Sequence, residues 1–435
     1  MRAAVRLAFL SPLPPAPTGI ADYTAEVLAL LTSDHEVEAF HAQGRVEHER
    51  LPAECTVRRV EEFLDRHRAR PYDVVVYQMG NGPEHAFLYD RLAQVPGLLV
   101  LHDLVLHHAR ARMFLDSPEM RAYAADPSSR ARREAARPAL EAYAAELAYA
   151  YPAQAGRLAE AHLATVGDLL PYAYPLFRIP VEASRAVAVH NAYMADAIRA
   201  EVPDAEVVHV PMPARAVSVP VEAARAARAR LGLREGDFVV GCFGLLTREK
   251  RIETVARAVA RAAALEPRLR LLLAGPIADE ARLESLLHRC GVRERTVLTG
   301  RLPFAELPAH IEAADLVVHL RYPTARETSA ALLRVLAQGR PTVVSDLEHL
   351  ADLPASAVER VDPTDEEGGV TRAILHLARD PAAGRLLGEA AAAFVRTEHA
   401  PERTRAGYDR ALAAARRRPA PAPREWPAHW ARYVP

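Results

Sequence analysis

Lysine is almost missing from this chain. Of 55 basic side chains, 54 are arginine and one, Lys250, is lysine. Asparagine is nearly as scarce: Asn81 and Asn191 are the only two in 435 residues. In a chain this free with arginine, a solitary lysine marks a position where a compact ammonium is required, or a codon that survived by chance. Composition alone does not separate the two. The cysteines, Cys55, Cys242 and Cys290, lie far apart with no metal-ligand spacing, so buried free thiols in a reducing compartment are expected. No apolar run reaches the roughly 20 residues that span a bilayer. The N-terminal MRAAVRLAFLSPLPPAP briefly looks like a secretory signal, but Arg6 interrupts its apolar core. A first buried strand is expected there instead, and a cytoplasmic location with it. No Asp-x-Asp occurs, which removes the usual carboxylate clamp for a metal–diphosphate complex; no bound metal is expected. No G-x-G-x-x-G occurs either, which weakens a nicotinamide-dependent reading. The formal net charge of −1 argues against a nucleic-acid partner.

What is present is α/β patterning, twice over. The length suits two α/β domains, and 50% hydrophobic residues are enough to give each a core. Short apolar runs followed by helical periodicity recur throughout, as in parallel sheets. Strands are expected near 5–10, 36–40, 57–60, 73–77, 98–102, 186–189 and 207–210. A second series is expected near 238–243, 270–274, 296–299, 316–319, 342–345 and 357–361. Several runs are continuous and β-branched, as buried parallel strands are. Two doubly wound, Rossmann-like domains follow, over 1–214 and 215–398, with a helix at 399–416 and a proline-rich tail at 417–435. The stretch from about 109 to 180 is too long for a simple crossover and is expected to add two or three helices. They either pack on the first domain or cap an acceptor site. Trp426 and Trp430 are expected to dock the tail on the body.

Ligands of open parallel sheets bind beyond the carboxyl ends of the strands. After the first strand, Gly19 opens a helix in SPLPPAPTGIADYT; it permits close backbone approach to a ligand, or is an ordinary turn. After the fourth, Asn81 sits between Gly80 and Gly82, as turn chemistry or as a polar contact to substrate. After the fifth, His102-Asp103 precedes His107-His108, a pair suited to orienting a hydroxyl or moving a proton. After Phe243, the run Gly244-Leu245-Leu246-Thr247-Arg248-Glu249-Lys250-Arg251 offers a turn, a helix start and cations. A diphosphate needs these three things; a solvated charged turn is the plainer reading. Glu327, Thr328 and Ser329 precede the apolar run Ala330–Gln338, either as caps or as ligands of a sugar and its phosphates.

These segments resemble glycosyltransferase family 4, the group 1 glycosyltransferases of the GT-B fold. GLLTREKRIETVARAVA resembles the family's G-R-L-x-x-x-K element, LRLLLAGP its next strand and glycine turn, and RTVLTGRLPFAELPAHIEAADLVVHL its base-contacting segment. ETSAALLRVLAQGRPTVVSD resembles the segment around its paired glutamates, and LVLHD its cleft histidine. The resemblance implies two Rossmann-like domains facing across a cleft. It implies transfer of a glycosyl unit from a nucleoside diphosphate sugar, usually with retention, without a cofactor and without an essential metal. Donor contacts would come from Gly19, Gly244, Arg248, Lys250, Gly275, Arg301, Thr328 and Ser329, and acceptor-side contacts from Asn81 and Asn191. His102, Asp103 and Glu327 would be the catalytic set. The acceptor would be a glycan, a lipid or a small molecule, with at most peripheral attachment at the inner membrane face.

Three departures stand out. Leu245 replaces the arginine of the first element, Arg334 stands at the usual second glutamate, and Arg326 stands at the first, where Glu327, one residue off, takes the role if the loop is one residue shorter. The second keeps open a non-catalytic protein that binds sugar nucleotides or glycans on the same scaffold.

Overall fold

The computed structural model describes residues 4–163, 169–422 and 424–431. The chain divides into two compact units. One comprises Met1–Pro213, Ala325–Thr328 and Glu402–Pro435; the other comprises Ala214–Thr324 and Ser329–Pro401.

The first unit is built on a parallel sheet of seven strands: β1 (Arg6–Leu10), β2 (Glu36–His41), β3 (Thr56–Arg59), β4 (Val74–Met79), β5 (Leu98–Leu101), β6 (Ala186–Val189) and β7 (Val207–His209). Their order is β3-β2-β1-β4-β5-β6-β7. The order reverses between β1 and β4, which pair in parallel from Leu7↔Val74 to Leu10↔Tyr77. β1, β4, β5 and β6 are buried at every position, which explains their unbroken apolar runs. The signal-like N-terminal run is indeed a buried strand.

Between β5 and β6 the described residues form six helical segments, not two or three: His107–Leu115, Pro118–Ala125, Arg130–Ala150, Ala155–Leu163, Leu170–Ala173 and Arg178–Glu182. Part of this insertion, 164–168, lies outside the described residues. The extra breaks have local causes. Ser117 and Ser129 cap new helices by accepting from Met120 N and Arg132 N, and Pro118 and Pro171 sit in first turns, where proline's missing N–H costs nothing.

Two buried carboxylates of this insertion hold the C-terminal tail. Glu146, 1% exposed, accepts two bonds from Arg110 at 2.7 and 2.9 Å. It also accepts from His429 at 2.6 Å and from the indole N–H of Trp430 at 2.7 Å. Glu182 accepts from Tyr149 at 2.5 Å, Arg178 at 3.0 Å, Arg424 at 3.1 Å and the indole N–H of Trp426 at 3.2 Å. Each tryptophan therefore anchors the tail to one of these carboxylates, and Trp430 is 1% exposed. The helix Pro401–Arg417 lies on the same unit: Thr404 bonds Pro211 O at 2.9 Å, and Tyr408 Oη meets Tyr23 Oη at 2.8 Å.

The second unit has six parallel strands: β8 (Phe238–Phe243), β9 (Leu269–Ala274), β10 (Thr296–Gly300), β11 (Leu316–His319), β12 (Thr342–Ser345) and β13 (Glu359–Val361). Their order, β10-β9-β8-β11-β12-β13, repeats the reversal between β8 and β11. Helices Ile252–Ala263 and Glu366–Arg379 close one face through Val255, Val259, Val370 and Ile374. Ile311 and Val335, from two neighbouring helices, share the cluster on the other face with Val239, Phe243 and Val317.

Burial pushes the Glu146 carboxyl up, but Arg110 and His429 outweigh it and hold the group at about 2. A depressed carboxyl stabilises the fold fully above its unfolded value of 4.5 and loses that contribution as pH falls towards 2. Replacing Glu146 by alanine strands the Arg110 guanidinium in the core. We expect Glu146→Ala to lose about 3–5 kcal/mol at neutral pH, the usual cost of breaking a buried pair, measured by urea unfolding. A loss below about 1 kcal/mol, the range of an exposed pair, would show that the tail and its carboxylate do not hold the insertion.

Candidate functional site

In each sheet the order reverses once, and the crevice at that reversal is where an open parallel sheet receives ligands. In the second unit this is the space beyond β8 and β11. β8 ends at Phe243, and Gly244 turns the chain with φ +103°. β9 ends at Ala274, and Gly275 follows with φ +146°. The two turns interlock. Gly244 N donates to Ala274 O at 3.0 Å, and Leu246 N to Pro276 O at 2.8 Å. A Cβ on Gly275 would stand 2.0 Å from Gly244 O. Only glycine allows this backbone approach, and left-handed φ values at both positions add to the requirement.

The chain then makes a short turn, Arg248–Lys250, and Arg251 takes a left-handed conformation, φ +55°, before the helix Ile252–Ala263. That turn brings Lys250 back under Gly244. A Cβ on Gly244 would lie 3.7 Å from Lys250 Nζ and 3.8 Å from Ala331 Cβ, at the start of the helix Ala330–Ala337. Lys250 is only 8% exposed.

The surroundings of this ammonium are cationic. His319, the last residue of β11, is buried. Burial and then the charges of Lys250, Arg321 and His349 hold its imidazole well below the ordinary range, so it stays neutral. Burial pushes the Cys242 thiol up to about 12 although Lys250 opposes it. One buried carboxylate organises the edge. Glu366 accepts from Arg251 Nε at 2.8 Å and from Ser345 Oγ at 2.9 Å, and Ser345 Oγ accepts from Arg321 N at 3.4 Å. Two turns, a helix start and a group of cations thus meet at one crevice. Such an arrangement suits an anion.

Of the donor-side residues expected from sequence, Gly244, Lys250 and Gly275 come together here. Arg248 lies exposed on the same turn, and Arg301 is exposed just after β10. Ser329 caps the helix Ala330–Ala337, its hydroxyl accepting from Leu332 N at 3.3 Å. Glu327 and Thr328 belong to the strip Ala325–Thr328 of the first unit, as does Asn191. Asn191 Nδ2 donates to Arg326 O and to Thr328 Oγ1, both at 3.1 Å, while its Oδ1 caps the helix Ala192–Glu201 through Met194 N. Both amide hydrogens of Asn191 are thus taken by the protein. Gly19 starts a helix, and a Cβ there would meet nothing within 4 Å. His319, His349 and Glu366 were missed in the sequence. Their only signal is position at or soon after a strand end, which topology alone makes meaningful.

The first unit gathers a different set at the ends of β4 and β5. Asp103 Oδ2 accepts from Asn81 N at 2.8 Å. The Asn81 side chain accepts from Ala109 N at 3.0 Å and lies 3.1 Å from His108 Nδ1. Asn81 therefore ties the β4 turn to the first inserted helix. His102 is buried, with Nε2 at 2.7 Å from the Gln78 side chain and Nδ1 at 3.2 Å from His190 Nε2. Gln78 continues to Tyr408 Oη at 3.1 Å, and His190 Nδ1 to Val210 O at 2.8 Å. Burial, then His190 and His85, hold His102 well below its ordinary value. Gln78 Oε1 faces His102 Nε2, and Gln78 Nε2 donates to Tyr408 Oη, so Gln78 links this histidine to the helix Pro401–Arg417. Both ring nitrogens of His102 are thus occupied inside the unit.

The comparisons with known proteins fall on these features. Residues 237–380 match the sequence family described as glycosyl transferases group 1. The chain is 30% identical over 141 residues to a 2-deoxystreptamine glucosyltransferase of Streptomyces kanamyceticus. That stretch is 32% of this chain and 36% of the relative's length. Among solved structures, sucrose-phosphate synthase from Thermosynechococcus elongatus matches with TM-score 0.63 and 18% identity, over 95% of this chain and all of the other. HepE from Anabaena, solved with UDP and glucose, matches with TM-score 0.62 and 15% identity, over 94% of this chain and 99% of the other. The fold is that of GT-B glycosyltransferases, two Rossmann-like parallel sheets flanked by helices. No helix among the described residues is long and apolar enough to cross a membrane.

Gly275→Ala is expected to push the two turns apart, lowering the melting temperature and abolishing stabilisation by inorganic pyrophosphate. Gly19→Ala, which meets nothing, should leave both unchanged. Equal melting curves and equal pyrophosphate response for the wild type and Gly275→Ala would refute the interlocked site.

Proposed function

We propose that the chain is a glycosyltransferase whose second unit binds a nucleoside diphosphate sugar, with the diphosphate on the Gly244 turn. The observation that carries this reading is the single lysine, buried at the strand reversal against a glycine turn and among further cations. The ammonium of Lys250 neutralises the diphosphate as it leaves, and the N–H groups at the start of the helix Ala330–Ala337 add a fixed dipole. Preorganised groups of this kind act most strongly where charge develops in the transition state. Because Lys250, Arg321 and Arg251 supply positive charge at this crevice, we propose that departure of the diphosphate proceeds without a metal ion. Retention of configuration is proposed from the match to group 1 glycosyltransferases. The acceptor hydroxyl is assigned to the first unit, at the turn where Asn81 and Asp103 meet. The glucosyltransferase relative, which acts on an aminocyclitol by its name, and the UDP complexes of HepE support a soluble sugar donor of the UDP-glucose type.

The test is release of nucleoside diphosphate from UDP-, dTDP-, GDP- and ADP-sugars, with water or a mixed acceptor set as recipient. One donor is expected to turn over, and Lys250→Ala to lower the rate by roughly 100-fold or more, the scale of losing one oxyanion-stabilising group. Binding of a nucleoside diphosphate without turnover of any sugar would favour the non-catalytic protein that Arg334 first suggested. Stabilisation by NAD alone would overturn the donor site.

A further inference from the structure

The first unit holds a cavity of about 610 Å³ at the amino ends of β4 and β5, the far end of these strands from Asn81 and His102. A volume of this size suits a small organic ligand. Its floor is built tightly. Gly97, just before β5, packs so closely on β4 that a Cβ there would lie 2.1 Å from Val75 O. Leu64, Val75 and Val95 give the cavity apolar walls.

The polar groups on the wall are mostly donors. His67 lies on the helix Phe63–Ala69 and stacks on Tyr72, with ring centroids 5.9 Å apart and planes inclined by 14°. Its Nδ1 accepts from Tyr72 N at 3.3 Å. Burial, then the charges of Arg6 and Arg185, hold this imidazole below its ordinary range, so the ring is neutral. A neutral ring that accepts at Nδ1 carries its proton on Nε2. Among the described residues no acceptor takes that N–H. Arg185, just before β6, donates from Nε to Pro96 O at 3.1 Å and from Nη1 to Arg418 O at 3.2 Å. These two bonds fix the guanidinium and leave its Nη2 hydrogens without an acceptor among the described residues. Gln94, the last residue of the helix Phe87–Gln94, adds a side-chain amide that makes no bond among the described residues. The carboxylate on the wall, Asp73, already accepts from Arg6 N at 2.7 Å.

Donors from separate elements, one of them a guanidinium, are matched by an oxyanion that accepts from several at once. A carboxylate has two oxygens for this; a phosphate monoester has three terminal ones. We propose that this cavity is a second ligand site, for a phosphate monoester carried on a small apolar body. The phosphoryl oxygens accept from His67 Nε2, Arg185 Nη2 and the Gln94 amide, and the body lies against Leu64, Val75 and Val95. The site belongs to the first unit and uses neither Lys250 nor the Gly244 turn.

Calorimetric titration with phenyl phosphate tests this, on the full chain and on its Lys250→Ala variant, which lacks the ammonium of the donor crevice. Inorganic phosphate, benzoate and benzyl alcohol are the comparison ligands, and every variant is checked by its melting curve. Phenyl phosphate should bind Lys250→Ala as it binds the wild type at this site, and more tightly than the other three ligands. His67→Phe, which keeps a ring but no N–H, and Gln94→Leu should each weaken binding roughly tenfold, the scale of one hydrogen bond to a charged group. Arg185→Met should weaken it at least as much, and Leu64→Trp should fill the cavity and abolish it. Loss of binding in Lys250→Ala, survival of binding in Leu64→Trp, or unchanged affinity in both His67→Phe and Gln94→Leu would overturn the proposal. So would inorganic phosphate or benzyl alcohol binding as tightly as phenyl phosphate, benzoate binding more tightly, or no binding of phenyl phosphate at all.

Discussion

The strand-end crevice of the second unit depends on a close approach of backbone to backbone, the interlock of the Gly244 and Gly275 turns. No side chain fits at Gly275, whose Cβ would fall 2.0 Å from a carbonyl oxygen. This fixes the ends of β8 and β9 relative to each other, and with them the floor on which the Lys250 ammonium rests. A buried ammonium is costly unless anionic or polar groups surround it. Here the strand ends contribute a neutral imidazole, a thiol and further cations, with the Glu366 carboxylate already engaged by Arg251 and Ser345. The cations gathered at these strand ends make the crevice suited to an anion.

The first unit solves a different problem. Its insertion packs a small apolar cluster of its own, including Tyr143, Leu147 and Leu158, and buried charge ties it to the rest of the unit. Glu146 and Glu182 each collect arginine, indole and further donors, so helices distant in sequence are cross-linked through two carboxylate hubs. The tail is thereby part of the unit's core, with Trp426 and Trp430 in the same cluster as the sheet residues Tyr77 and Leu99. The chain Tyr23–Tyr408–Gln78–His102–His190 ties the helix Pro401–Arg417 to the end of β5 in the same manner. Neutral His102 at its centre makes this chain a positioning device for the strand end.

Much of the architecture was legible in the sequence, for a physical reason. Central parallel strands are buried on both faces, so runs such as Val74–Tyr77 and Phe238–Phe243 announce themselves without alternation. All thirteen expected strands are present, with ends shifted by two residues or fewer. Lys250 was legible because its rarity carried information. The insertion was not, because Ala- and Arg-rich stretches read as long helices, while the breaks depend on serine caps and on prolines at first turns. Pro138, by contrast, sits inside the helix Arg130–Ala150, so proline alone did not mark the ends. His319, His349 and Glu366 were hidden because nothing local distinguishes them; only the order β8-β11-β12-β13 brings the Lys250 charge to His319 and Glu366 to Arg251 and Ser345. Asn191 showed the converse, a rare residue whose capping and backbone contacts give its presence a structural reason.

The most direct test of the account is hydrogen–deuterium exchange with and without saturating nucleoside diphosphate. The account predicts slower exchange in two stretches of the second unit, the turn from Phe243 to Arg251 and the helix start from Ser329 to Arg334. Protection that falls elsewhere, or no change in these two stretches while the nucleotide is bound, would contradict it.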